Sequence, residues 1–141
     1  MRMLACLVAA SSLLAAAPAL AEVIHFTTKL DGASETPPND SKGTGEAKVT
    51  LDTDKHTVSW AVTYAGLTGP ATMAHLHGPA AAGASAPVTI PLTAPVTSPI
   101  NGSAAITDTQ IGDLRAGLWY VNVHTAAHPG GEIRGQLVAP K

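Results

Sequence analysis

The sequence predicts an all-β fold: a Greek-key β-sandwich of about seven or eight short antiparallel strands, with one short helix near 108–116. Apolar residues alternate with polar ones along much of the chain instead of recurring at helical spacing. Clusters of Gly, Pro, Asn and Asp interrupt that alternation at short intervals. Thr and Val are plentiful, and β-branched side chains suit a half-buried pleated surface.

Ile24, Phe26 and Leu30 fall on one side of a first strand, and His25, Thr27 and Lys29 on the other. Pro37-Pro38-Asn39-Asp40-Ser41 reads as a loop. Val49 and Leu51 share a face in the next strand, which ends in the turn Asp52-Thr53-Asp54-Lys55. Val58, Trp60, Val62 and Tyr64 then alternate with Thr57, Ser59, Ala61 and Thr63, the clearest half-buried strand in the chain. Ala71 to His77 is the following strand. From Gly78 to Pro99 the chain is dense in Ala, Pro, Thr and Ser, and reads as long loops around a short strand, Pro87 to Leu92, whose prolines place it at an edge. Ser103 to Ile106 forms another short strand. Thr107 can cap a helix with Gln110 completing a capping box; Ile111 and Leu114 would face the core, and Gly117 would end it. Leu118 to Thr125 and Glu132 to Val138 are the closing strands, joined by a turn at His128-Pro129-Gly130-Gly131.

The first residues have the layout of a secretory signal peptide. Arg2 supplies a positive charge, an apolar run extends from Leu4 to about Ala17, and Pro18-Ala19-Leu20-Ala21 offers small residues to a peptidase. The apolar run is shorter than the roughly 20 residues of a membrane span. Cleavage is expected after Ala21, leaving 22–141 as one periplasmic or secreted domain without a span. The only cysteine, Cys6, lies in that leader, so the domain has neither disulfide nor thiolate ligand. The net charge is −2 with no Lys/Arg cluster, which argues against nucleic acid and against a polybasic membrane patch. No Gly-x-Ser-x-Gly elbow occurs, and the acids are scattered. Asn39-Asp40-Ser41 and Asn101-Gly102-Ser103 fit the glycosylation pattern, which matters only in a eukaryotic source.

The histidines carry the chemistry. His75 and His77 are two apart on one strand, so both point to the same face, with Cβ atoms roughly 6–7 Å apart. Two imidazoles at that separation can converge on one ion. Met73 lies on the same face, and its thioether suits Cu(I). In the closing hairpin Asn122 and His124 share a face, opposite Val121 and Val123, while Glu132, Arg134 and Gln136 share a face across the turn. If the two regions are neighbours, His75, His77 and His124 become the metal ligands. Met73 and His128 are possible additional ligands, and Asn122 and Glu132 are candidates to hold the ligating rings. Arg134 is expected to pair with a carboxylate. Nitrogen ligands without thiolate suit copper, zinc or nickel, and the affinity order favours copper. Against this stand plainer readings: His75 and His77 as hydrogen-bonding anchors for the Pro-rich loops, Met73 as packing, and His25, His56 and His128 as surface residues.

Several segments together resemble the CHRD (chordin-type) domain family. They are Leu30-Asp31-Gly32 with Glu35-Thr36-Pro37-Pro38, Tyr64-Ala65-Gly66-Leu67, Ala74-His75-Leu76-His77-Gly78, Gly117 to Thr125 (GLWYVNVHT) and Pro129 to Gly135 (PGGEIRG). The likeness spans nearly all of the chain after the leader and implies an extracytoplasmic β-domain. The growth-factor-binding modules that accompany these domains in chordin do not occur in this sequence, so that role does not carry over. His-Leu-His on one strand with a later Val-His is similar to the copper-ligand pattern of copper/zinc superoxide dismutases, but their disulfide cysteines and bridging-histidine segment have no counterpart here.

These readings lead to an exported protein that binds copper, or zinc, for buffering or delivery rather than catalysis. A metal-free structural or adhesion-type module, docking another extracytoplasmic protein through its Pro-rich loops, is the alternative. A copper-dependent, dismutase-like oxidoreductase is the third reading.

Overall fold

The computed structural model describes residues 20–141. Cys6 and most of the expected leader lie outside the described residues. Eight strands and one helix follow in order: β1 (Val23–Asp31), β2 (Thr44–Asp52), β3 (Thr57–Ala65), β4 (Ala71–His77), β5 (Val88–Pro91), β6 (Ile100–Ala105), α1 (Asp108–Arg115), β7 (Trp119–Thr125) and β8 (Ile133–Leu137). Every strand pair is antiparallel. The fold is all-β, as the alternation requires, and no described helix is long and apolar enough to cross a membrane.

The strands form one nearly closed sheet in the order β5-β4-β7-β8-β1-β2-β3-β6. Its middle link is thin: β1 and β8 are joined by a single residue pair, Asp31 with Arg134. The sheet therefore divides into two four-stranded halves, β6-β3-β2-β1 and β8-β7-β4-β5, with the chain passing between them after β3, β5 and α1. Phe26, Leu30, Val49, Leu51, Val58, Trp60 and Val62 from the first half meet Ala74, Leu76, Val121, Val123, Ile133 and Leu137 from the second. Strand alternation produces this, because each set occupies every second position and turns one apolar face inward.

The short strand expected from Ser103 begins three residues earlier, at Ile100. Gly102 pairs with Trp60, and a Cβ there would meet the indole at 2.5 Å. Glycine is what lets the strand continue beneath that ring. β5 is the expected edge strand. α1 starts at the expected cap: Gln110 N–H donates to Thr107 Oγ1 (3.2 Å), and Thr107 N–H donates to Gln110 Oε1 (2.9 Å). Its two buried residues, Ile111 and Leu114, dock the helix on the core. Gly117, at φ 75°, turns the chain out of it.

The outer face of β4-β7-β8 is not left to solvent. All seven residues of β7 are buried, although its sequence alternates polar and apolar side chains. Three loops cover the polar side. The loop after β1 is held by Arg134 donating to Thr36 Oγ1 (3.2 Å) and Asn39 Nδ2 donating to Glu132 O (3.1 Å). The loop after β4 is held by Gln136 Nε2 donating to Ala80 O (2.8 Å) and by Tyr120 Oη donating to Ala86 O (3.3 Å). The third is the turn at 126–131. A polar strand face that would ordinarily be wet is thereby covered.

Candidate metal centre

β4 and β7 lie side by side, with Met73 opposite His124, His75 opposite Asn122 and His77 opposite Tyr120. Directly opposed residues in an antiparallel pair project to the same side, so this register gathers the histidines of both strands on the roofed face. One ligand atom from each of His75, His77 and His124 lies within 4.8 Å of the other two. His77 and His124 are 7% and 6% exposed, whereas His75 is half-buried. The opposite alternation puts Ala74, Leu76, Val121 and Val123 in the core.

Hydrogen bonds define which nitrogens are free. His77 Nδ1–H donates to Ala86 O and His124 Nδ1–H donates to Pro129 O, each at 2.9 Å. A backbone carbonyl can only accept, so in each neutral ring the hydrogen sits on Nδ1 and Nε2 keeps its lone pair. His75 Nδ1 stands 3.0 Å from His124 Nε2 and donates to it when no ion intervenes. The bonds to Ala86 O and Pro129 O come from the remote ring nitrogens, which is how proteins orient metal-binding imidazoles. The His77 ring also stacks on Tyr120, with centroids 4.7 Å apart and planes 2° from parallel.

Burial lowers the pKa of His75 to about 4, with the neighbouring His124 and His77 rings adding to the effect. Burial also lowers that of His124, against a smaller opposing effect of its bond to Pro129 O. Both rings are thus neutral near pH 7, the form that ligates metal. An unfolded histidine titrates near 6.5, so from pH 6.5 down to about 4 the unfolded chain binds more protons than the folded one. The histidine contribution to the stability of the metal-free protein is expected to fall across that window and to level off below it. Thermal melts between pH 7.5 and 3.5 would show it, and His75→Gln should flatten the slope.

The remaining sequence candidates take other places. Asn122 joins the cluster, with Oδ1 3.0 Å from both His77 Nε2 and His124 Nε2. Met73 is in register with His124 but 47% exposed. His128 is half-buried in its turn, outside the three-histidine group. Glu132 contacts no histidine by hydrogen bond. Its carboxylate accepts from Ser41 Oγ (2.6 Å), Thr68 N–H (2.9 Å), Thr68 Oγ1 (2.7 Å) and Thr125 Oγ1 (2.6 Å). Burial would raise its pKa, but these donors outweigh burial and hold it at about 2. The expected carboxylate partner of Arg134 is also replaced. Arg134 is 2% exposed and makes no ion pair among the described residues. Its guanidinium lies 3.5 Å over the Tyr120 ring and donates to Thr36 Oγ1 and Gln136 Oε1. His25 and His56 sit on exposed hydrogen bonds, to Thr50 and Asp108.

Sequence reasoning passed over Tyr120 and Glu35. Tyr120 lies between the His77 ring and the Arg134 guanidinium. Glu35 is 6% exposed, and burial raises its pKa despite the Thr36 N–H, Arg134, Asn122 and His128 nearby. No local pattern marks it, because its neighbours arrive from β7, β8 and the 126–131 turn.

The family model described as CHRD domain matches residues 26–137. No curated protein and no solved structure matches the chain.

Proposed function

The chain belongs to the CHRD domain family, and on the histidine cluster of that domain we propose that it binds a transition-metal ion, copper before zinc, for buffering or delivery outside the cytoplasm. The observation that carries the reading is the state of the imidazoles. Three lie within 4.8 Å of one another, and the two buried ones have their Nδ1 hydrogens engaged by backbone carbonyls, leaving Nε2 lone pairs turned inward. Such a set suits copper or zinc, and copper binds nitrogen sites more tightly. Met73, in register with His124 and 47% exposed, is the soft donor nearest in register to the cluster. The leader-like residues up to Ala21 support export.

The test is a thermal melt of the metal-stripped protein with and without Cu(I), Cu(II) or Zn(II). An ion that binds only the folded state, present at 100 times its dissociation constant, adds about 2.7 kcal/mol. The expected result is a rise of several degrees with copper and less with zinc. No rise with any of the three would sink the metal reading. It would favour a metal-free module, which the same bonds to Ala86 O and Pro129 O support by anchoring two loops.

A further inference from the structure

We infer that Asn122 Oδ1 is a fourth donor to the bound ion, and that Glu35 is the positioning residue holding the Asn122 amide in its ligating orientation. This rests on the metal-binding reading above and deepens it to three nitrogens and one oxygen. The surroundings of Asn122 contain an apparent misfit. Asn122 Oδ1 stands 3.0 Å from His77 Nε2 and 3.0 Å from His124 Nε2. In the neutral rings both nitrogens lack a hydrogen, because each ring commits its one proton at Nδ1 to a backbone carbonyl. An acceptor oxygen therefore faces two acceptor nitrogens. Lone pairs in that arrangement repel, and a cation among them converts the repulsion into coordination.

A half-turn of the amide would remove the misfit without an ion, by placing Nδ2–H groups on the two rings. Glu35 opposes that turn. Its Oε1 is buried without a hydrogen-bond partner, and a Cβ on Gly131 would strike Oε1 and crowd Asn122 Nδ2 at 2.9 Å. Both atoms thus lie against the same glycine, on the side of the amide away from the histidines. Turning the amide would set Oδ1 toward the carboxylate oxygen in place of an N–H. The carboxylate is itself fixed, with Oε2 accepting from Thr36 N–H at 3.3 Å and the Glu35 N–H donating to Gly32 O at 3.2 Å. Gly131, at φ 128°, leaves the space that this arrangement needs. An amide oxygen is a harder donor than a thioether or imidazole, so the set favours Cu(II) and Zn(II) over Cu(I).

The experiment measures Cu(I) and Cu(II) affinities by competition titration, together with the Cu(II) electron paramagnetic resonance spectrum, for the parent, Asn122→Ala, Glu35→Ala and Glu35→Gln. Melting of the metal-free forms reports folding. The expected result is a Cu(II) affinity about 10–100-fold lower in Asn122→Ala and Glu35→Ala, with an altered spectrum and a Cu(I) affinity close to the parent's. Glu35→Gln, which keeps a side-chain oxygen on the Nδ2 side of the amide, should recover most of the Cu(II) affinity. Should Asn122→Ala fail to fold, the Glu35 pair carries the test alone. Unchanged Cu(II) affinity and spectrum in the folded variants would overturn the inference, as would equal weakening for both oxidation states. A parent that binds neither ion would remove the metal reading itself, an outcome distinct from the other two.

Discussion

His75→Ala combined with His77→Ala is expected to lower copper affinity by at least about a thousandfold, roughly 4 kcal/mol, while the domain stays folded. Losing a residue that merely orients a ligand typically costs 10–100-fold in metal affinity, and here two of the three imidazoles go. Folding should survive because both side chains project away from the core formed by Ala74, Leu76, Val121 and Val123. His77 is the costlier loss of the pair. Its ring stacks on Tyr120 and donates to Ala86 O, but that carbonyl keeps the Tyr120 hydroxyl as a second donor at 3.3 Å. A destabilisation of about 1–3 kcal/mol is therefore expected in the metal-free form. Copper titration and circular dichroism on the same samples check both halves. Parent-like copper affinity in the double variant would mean that the ion binds elsewhere.

Glu132→Ala is expected to destabilise the protein by about 3 kcal/mol or more, because each buried donor left without its acceptor costs about 1–3 kcal/mol. Glu132 is wholly buried, and its carboxylate collects donors from three separate places: Ser41 before β2, Thr68 before β4 and Thr125 at the end of β7. Alanine would leave three hydroxyls and one N–H without their acceptor. Glu132→Gln keeps one carbonyl oxygen and should lose less. Urea unfolding of the three proteins at pH 7 measures the order. The acid limb follows from the same carboxylate. Its pKa of about 2 in the folded protein lies below the ordinary 4.5, so its contribution is present above pH 4.5 and drains away as pH falls toward 2. The Glu132→Ala variant should lack that limb. Its metal affinity should match the parent's, because no hydrogen bond joins Glu132 to a histidine; a large loss of affinity would show that the clasp also sets the centre's geometry.

Much of this architecture was legible in local pattern. Alternation from Val58 to Tyr64 specifies a strand and its inward face with no knowledge of the partner strand. Thr107 with Gln110 marks the start of α1, because a capping box closes within one turn. His75 and His77 are assigned to one face by period two alone. Ile100 was less legible, since strand pairing over Gly102 depends on an indole some 40 residues earlier in the chain, at Trp60.

Local pattern therefore carries the all-β class, the order of the strands along the chain, the inward and outward faces, and the candidate histidines. The tertiary structure alone decided what those faces meet. It placed β4 beside β7, so that His124 joins His75 and His77, and it roofed a polar strand face with three loops. It also directed Glu132 to Ser41, Thr68 and Thr125, and laid Arg134 on Tyr120 instead of a carboxylate. The physical reason is range. Period, caps and turns act over a few residues, whereas the partners of a buried polar group come from wherever the chain returns, as Glu35 beside Asn122 shows.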